Sequence, residues 1–528
     1  MNLHEITKAV FGELLISEVR DQKSAVRIER NWQAGCDNKI DDRRLMTDDC
    51  LKVSTDTRTI SKGDLFIPLV GERFDGHHFL DAAQEKGACA ALVEKDYWQK
   101  VKPNLAIPVI LVDDTLKALQ DLAHYHRSKY NIPVIGITGS NGKTSTKDLI
   151  GAILKEKLNV VKSQGSFNNE IGLPLTLLEI NSDTQAVVVE MGMRGLGQIT
   201  ELANIARPTM GVVTSVAPVH IDILKTIENI ATAKGELPRS IDKSGKVFLN
   251  GENSWCIKMK DWTEAEVNFF GFNDSCKYHA QIIEMDLHKS RFKLKIDDQT
   301  KDMELPIAEV GSQKSEVRNT KTWDMELPVA EVGSQKSEVG NAKTCDIELP
   351  IPGEHNILNA LAAIGVAYEL GFDLETISQG LKSASISEKR LEKIILDSGV
   401  VLINDTYNAN PTSMKASINI LSAAQANRRI AVLGDMYELG DYELEGHLSV
   451  GSHICNDGAD LLITIGNLGR LIAKGALDSG MLKEKVFSFE NNQEAADFLK
   501  EHLSQGDIVL FKGSRAAKIE EIVRAIDN

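Results

Sequence analysis

An apolar, β-branched run beginning at Ile132 (PVIGITG) leads directly into TGSNGKTS at Thr138–Ser145 and then into a helical stretch, Thr144–Leu158. Few local patterns restrict a chain more tightly. Glycines between a strand and a helix let successive backbone N–H groups converge on phosphate oxygens at the positive end of the helix. The pattern therefore predicts a phosphate-binding loop at the edge of a mostly parallel, helix-covered sheet. Gly139, Ser140, Asn141, Gly142, Lys143, Thr144 and Ser145 are its candidate nucleotide contacts, against a purely structural glycine turn. In this arrangement Lys143 reaches the β and γ phosphates and the Thr144 hydroxyl ligates Mg2+. The usual first glycine is displaced: Ile137 stands in its place, with glycines at 136 and 139.

The alternation of strand-like and helical lengths continues on both sides. Ala186–Val189, Met210–Thr214 and Lys246–Leu249 extend the central region. Val400–Asn404, Arg429–Leu433, Asp460–Ile465 and Asp507–Phe511 predict a smaller doubly wound region beginning near Lys389. Asp64–Val70 and Ala88–Val93 predict strands of a small α/β unit ahead of the loop, while the charged stretch Arg20–Asp49 has no periodicity and reads as a loop. At roughly 150 residues per domain the 528 residues amount to more than three domains, and the expected division is 1–131, 132–386 and 387–528. The excess is an internal repeat. Units of 22 residues start at Asp302, Asp324 and Asp346, and the first two differ at only four positions. Too few units with too little apolar surface are present for a solenoid, so 300–345 is expected to be an insertion carried as a surface hairpin or loop. Only the third copy runs into GEHN and the next helix, so it is expected to supply a strand.

Composition narrows the function classes. A formal charge of -16 disfavours nonspecific binding to nucleic acid or to an anionic membrane, so an anionic ligand must be captured by local positive features. The seven cysteines form no CxxC pair, which argues for reduced thiols, and neither a signal peptide nor a membrane-inserted span is expected. The reading is a cytoplasmic protein.

Phosphoryl chemistry needs oxygen ligands and cations near the loop. Glu190 ends the strand AVVVE, where parallel strands present functional groups, and is either a metal ligand or a surface acid. His220, in SVAPVHID, is either a ligand or a core or loop histidine, and Lys234, in ATAKGEL, is by itself an ordinary solvated helix lysine.

Eight ordered blocks decide between these readings: Ser54–Phe79 (STDTRTISKGDLFIPLVGERFDGHHF), Gly136–Lys147, Gly165–Leu178 (GSFNNEIGLPLTLL), Glu190–Gly195 (EMGMRG), Pro352–Ala363 (PGEHNILNALAA), Asn404–Met414 (NDTYNANPTSM), Val432–Gly440 (VLGDMYELG) and Val509–Val523 (VLFKGSRAAKIEEIV). Together they resemble the Mur ligases, ATP-dependent amide-forming enzymes of bacterial peptidoglycan precursor synthesis. The resemblance implies an α/β, three-domain Mur ligase architecture: a small N-terminal α/β domain, a central P-loop domain with a mostly parallel sheet, and a C-terminal Rossmann-like domain. The DTYNANP and KGSR blocks, with no DNPR motif, favour the branch that joins D-alanyl-D-alanine to UDP-N-acetylmuramoyl-tripeptide through an acyl phosphate. A folylpolyglutamate- or cyanophycin-type ligase shares the central domain but not the STDTR block, and a regulatory protein that had lost catalysis would not need Lys143, Thr144, Glu190, His220 and Asp405 intact.

The resemblance further implies ATP and two Mg2+ ions. Thr144 and Glu190 match ligands of one ion, and His220 matches a ligand of the second. Lys234 matches the position that is carbamylated in several relatives. Asn356 and Asn359 match adenine contacts, Asp405 the ribose-binding acid, and Arg390 and Tyr407 further ATP-site positions. Ser54, Asp56, Thr57 and Arg58 match the block that holds the uridine diphosphate. Phe167, Asn168 and Asn169 match the muramoyl-peptide channel, and Asp435, Lys512, Ser514 and Arg515 match the dipeptide side of the cleft. A monomer is expected.

Overall fold

A computed structural model describes residues 1–17, 26–28, 52–219, 221–298, 343–385 and 387–527. Uninterrupted Val, Ile and Leu runs form strands buried on both faces, and three large sheets result. The central one has nine strands in the order Val160–Lys162, Ala186–Glu190, Val134–Thr138, Met210–Val213, Lys246–Asn250, Glu266–Gly271, Tyr278–Met285, Ser290–Ile296 and Lys343–Leu349. Pairing is parallel through Tyr278–Met285, as the sequence predicts, and antiparallel over the last two strands. The antiparallel edge needs only one covered face, and Ser290–Ile296 accordingly alternates buried and more exposed side chains. Helices Lys143–Lys155 and Glu354–Glu369 cover that face, sharing a core with Phe248, Phe270, Tyr278 and Phe292.

The third repeat copy supplies the edge strand, as expected, with Asp346 opposite Lys293 and Leu349 opposite Ser290. The first two copies lie outside the described residues. Ile296 and Lys343 are direct cross-strand partners, a spacing that a tight hairpin turn can bridge. Replacing residues 299–342 by a tight hairpin turn is therefore expected to leave the melting temperature unchanged or slightly raised, because a shorter loop costs less closure entropy. A scanning-calorimetry comparison checks this; a large drop would show that the inserted copies carry part of the fold.

At the same end of these strands, where Tyr278 lies opposite Ile296, Glu369 accepts hydrogen bonds from Lys277 Nζ (2.7 Å) and Tyr278 Oη (2.5 Å), and also pairs with Lys246. Burial alone would raise its carboxyl, but these donors outweigh burial and hold it down at about 2, from an ordinary 4.5. A depressed folded-state value stabilises the protein above the unfolded value and loses that contribution as pH falls through the folded one. Urea midpoints should thus decline between pH 4.5 and 2, and Glu369→Gln should flatten that part of the curve while costing roughly 3 kcal/mol at pH 7. Equal slopes in the two proteins would contradict this.

The N-terminal sheet runs Val26–Ile28, Glu13–Ser17, Val109–Val112, Ala90–Glu94, Leu65–Phe66, Val53–Ser54. Two expectations are corrected here. The strand expected over Asp64–Val70 is only Leu65–Phe66, because Pro68 has no N–H to continue the ladder, and Val70–Gly71 turns instead into a hairpin with Phe74–Asp75. Within the charged stretch expected to be a loop, Val26–Ile28 pairs antiparallel with Glu13–Ser17, its two β-branched residues flanking Arg27. The remainder of that stretch lies outside the described residues.

The third sheet runs Glu392–Ile395, Val401–Asn404, Asp507–Lys512, Arg428–Gly434, Leu461–Ile465, Val486–Phe489, parallel except at its first strand. The chain's last strand is thus inserted at the centre. The carboxyl ends of three neighbouring strands, followed by Asp405, Gly513 and Asp435, are thereby brought together, the arrangement in which open α/β sheets bind ligands. The five described cysteines are free thiols, and no helix among the described residues is long and apolar enough to cross a membrane.

Candidate functional site

Val134–Thr138 lies between Ala186–Glu190 and Met210–Val213, and its carboxyl end hands the chain to the glycine-rich loop. Gly139 and Gly142 have φ of +150° and +84°. A Cβ at 139 would stand 1.9 Å from Thr214 Oγ1, and one at 142 would stand 2.3 Å from Asn359 Oδ1, so neither position accepts a side chain. The loop is braced by the turn after Met210–Val213: Ser140 N–H donates to Ser215 O (2.8 Å), Asn141 N–H to Ser215 Oγ (3.0 Å), and Ala217 N–H to Ser140 Oγ (2.8 Å). Lys143 Nζ donates to Gly139 O (2.7 Å). Burial lowers the Lys143 ammonium from its ordinary range; Glu190 opposes that shift and Arg390 adds to it. Ser145 is buried in the first turn of the helix.

Glu190 is no surface acid, being only 2% exposed. Its Oε2 accepts from Thr144 Oγ1 (2.8 Å) and its Oε1 from Asn168 Nδ2 (2.8 Å). From the third sheet's side, Arg390 Nη2 donates to Thr144 Oγ1 (3.0 Å), with its guanidinium stacked 4.1 Å from the Tyr407 ring centroid. Arg390 Nε is buried with no partner, and Arg390 lines the same cleft as Lys143. No cluster of three or more His, Cys, Asp or Glu occurs among the described residues. One carboxylate and one hydroxyl nonetheless fit Mg2+, which keeps several waters and takes phosphate oxygens to complete its shell.

Lys234, expected from sequence pattern alone to be solvated, is 2% exposed. The helix Ile227–Lys234 turns Ile230, Ala231, Ala233 and Lys234 inward together. Burial, reinforced by the charge of Lys143, pulls its amine well below the ordinary lysine range. His220 lies outside the described residues.

All of this lines one cleft of about 1720 Å3, bounded by all three sheets. Phe167, Asn168 and Asn169 form part of its wall, as do Asn356, Asn359, Asp405, Lys512, Ser514 and Arg515. Asn359 Oδ1 accepts from Thr146 Oγ1 (3.2 Å) and its Nδ2 donates to Asn356 Oδ1 (3.2 Å), tying the Glu354–Glu369 helix to the loop's helix. Asp405 Oδ2 accepts from Lys512 Nζ (2.5 Å) and Ser417 Oγ (2.6 Å).

Other expected residues stand elsewhere. Asp435 does not line the cleft; it accepts from Gly469 N–H (2.7 Å) and Tyr437 Oη (3.0 Å) behind its wall. Of the N-terminal block only Thr55 reaches the lining. Ser54 is buried and bonded to the Asp56 backbone, while Thr57 and Arg58 lie outside the lining and Arg58 pairs with Asp56 at 2.6 Å. The hydrogen bonds from Arg58 hold the Asp56 carboxyl down at about 2. Pattern reading missed Thr55, His355, Asn410 and Tyr437 as lining residues. Asn410 Nδ2 donates to Asn141 Oδ1 (2.7 Å), a second link from the third sheet to the loop, and the signal was its place inside the DTYNANP block.

Three family models match in order: the Mur ligase family catalytic domain over residues 52–127, the Mur ligase middle domain over 137–367, and the Mur ligase glutamate ligase domain over 389–515. The chain is 36% identical to the UDP-N-acetylmuramoyl-tripeptide–D-alanyl-D-alanine ligase of Bacillus subtilis, the match covering 89% of this chain and 92% of that one. The chain belongs to the Mur ligase family. To the ligase of the same name from Escherichia coli this Mur ligase is 31% identical, over 90% and 93% of the two chains. A crystal structure of MurF from Acinetobacter baumannii superposes with a TM-score of 0.77 at 26% identity, covering 99% and 98% of the chains. The MurF ligase of Thermotoga maritima, solved in complex with ADP, shares the fold with a TM-score of 0.71 at 23% identity, over 90% and 97%.

Proposed function

We propose that this Mur ligase joins D-alanyl-D-alanine to the terminal carboxylate of UDP-N-acetylmuramoyl-tripeptide, with ATP converted to ADP and phosphate. The observation that carries this reading is the buried Thr144–Glu190 pair with Arg390 hydrogen-bonded to it in one cleft, in a chain 36% identical to a ligase of that name. Residues 1–131 would hold the uridine nucleotide, 132–386 the ATP, and 387–528 close over both. A single chain supplies every residue this reading uses, and the setting is the cytoplasm.

Backbone amides of Gly139–Ser145 cradle the β and γ phosphates. Lys143, drawn from the Gly139 carbonyl, stabilises charge on the transferring phosphoryl group together with Arg390. Transfer to the tripeptide carboxylate makes an acyl phosphate and ADP. The dipeptide amine then attacks the acyl carbon, the tetrahedral intermediate collapses, the carbon–oxygen bond to phosphate breaks, and the amine's proton passes to solvent. Thr144 and Glu190 would hold one Mg2+ and His220 and Lys234 a second; bound Mg2+ supplies charge neutralisation on phosphoryl oxygens. Burial disfavours the charged form of the Lys234 amine, and the neutral form is the one that takes up CO2 as a carbamate.

Asn356 and Asn359 are assigned to adenine, and Asp405, braced by Lys512, to ribose. Phe167, Asn168 and Asn169 are assigned to the muramoyl-peptide, and Ser514 and Arg515 to the dipeptide, with Asp435 supporting that wall through Tyr437. Ser54, Asp56, Thr57 and the solvent-facing Arg58 are assigned to the uridine diphosphate. Closure of the cleft excludes water that would hydrolyse the acyl phosphate. Phosphate release should require both UDP-tripeptide and D-alanyl-D-alanine; ATP turnover indifferent to either would contradict the proposal.

A further inference from the structure

The segment joining the central and third sheets is gripped from opposite sides at adjacent residues. Ser387 is held by the central unit: its N–H (3.0 Å) and its Oγ (2.6 Å) both donate to Asp148 Oδ2. Asp148 is 3% exposed, and its other oxygen accepts from Lys162 Nζ (2.8 Å). Two residues on, Lys389 belongs to the third unit. Its carbonyl accepts from Tyr407 N–H (3.1 Å), its N–H donates to Glu392 Oε2 (3.2 Å), and its Nζ donates to Glu520 Oε1 (3.0 Å). Only Glu388, exposed and between the two grips, is held by neither. Lys389 and Leu391 are both in the left-handed region, with φ of +59° and +55°, a costly conformation for side chains of this size that persists only where surroundings enforce it.

Register gives the grip its consequence. Asp148 and Thr144 are four residues apart on helix Lys143–Lys155 and so share one face; Ser387 and Arg390 are three apart on the segment that runs back along it. Asp148 holds Ser387 while Thr144 receives Arg390. We propose that Asp148 is a positioning residue: by fixing Ser387 as the stationary end of a pivot at Glu388, it delivers the Arg390 guanidinium to the Thr144–Glu190 pair. What Arg390 does on arrival rests on the ligase reading; the grip itself does not.

The test uses the full chain. Asp148→Ala should lower kcat for phosphate release roughly tenfold or more, because the acceptor that holds Ser387 and so places Arg390 is lost. Asp148→Asn, which keeps an acceptor for Ser387, should recover most of the rate, and Ser387→Ala, which keeps the backbone bond, should lose several-fold. In an Arg390→Ala background Asp148→Ala should cost nothing further. An equal cost in both backgrounds, or an asparagine variant as slow as alanine, would overturn the proposal. A second measurement needs no turnover: hydrogen exchange in the peptide spanning 384–391 should quicken in Asp148→Ala and Ser387→Ala and stay slow in Arg390→Ala. Unchanged exchange in the first two would also overturn it. If the unaltered protein releases no phosphate, the ligase reading falls, and the exchange result alone decides the grip.

Discussion

Lys143→Ala should lower kcat at saturating substrates by about a thousandfold or more while the protein stays folded. Lys143 presents an ammonium within a loop otherwise built of backbone donors, and burial has already removed much of its hydration. Charge that grows on a transferring phosphoryl group in such a place is poorly served by water. The loop itself should survive the substitution. Its shape depends on the positive φ of Gly139 and Gly142 and on the Ser215 and Ala217 braces, none of which uses the Lys143 side chain. A melting temperature within a few degrees of the parent, measured beside phosphate release, separates lost chemistry from lost structure. Retention of a tenth of the rate would remove Lys143 from the mechanism.

Glu190→Gln should lower kcat by roughly a hundredfold and raise the Mg2+ concentration needed for half-maximal rate. The substitution keeps shape and volume. The amide oxygen still accepts from Asn168, and the bond to Thr144 can reverse its direction, so stability should change by less than about 1 kcal/mol. What disappears is the one negative charge in direct contact with Thr144. A Mg2+ titration of phosphate release in both proteins checks this. An unchanged half-saturation point would mean that Glu190 only braces the loop.

The loop was legible because its constraint is local: a β-branched run, glycines where φ must be positive, and a helix immediately afterwards. The parallel strands were legible for a similar reason, since strands buried on both faces leave unbroken apolar runs. What sequence pattern missed depends on distant partners. Lys234 has the local context of an ordinary helix lysine, and only the packing of its helix takes its amine out of water. Asp435 sits in a block facing the cleft, yet its carboxylate is taken by Gly469 and Tyr437. Asp148 reads as a polar residue on a helix, and its partner Ser387 is 239 positions away. Pro68 was a local signal, and a missing N–H in mid-run was sufficient reason to shorten the strand over Asp64–Val70.

The central claim is that this cleft activates a carboxylate by phosphorylation. It is tested most directly with UDP-N-acetylmuramoyl-tripeptide carrying heavy oxygen in its terminal carboxylate, incubated with ATP and D-alanyl-D-alanine. One labelled oxygen per turnover should appear in the released phosphate, because the carbon–oxygen bond that breaks is the one to the phosphoryl group. Unlabelled phosphate, formed at the same rate as amide, would contradict the acyl phosphate and the account of the site built on it.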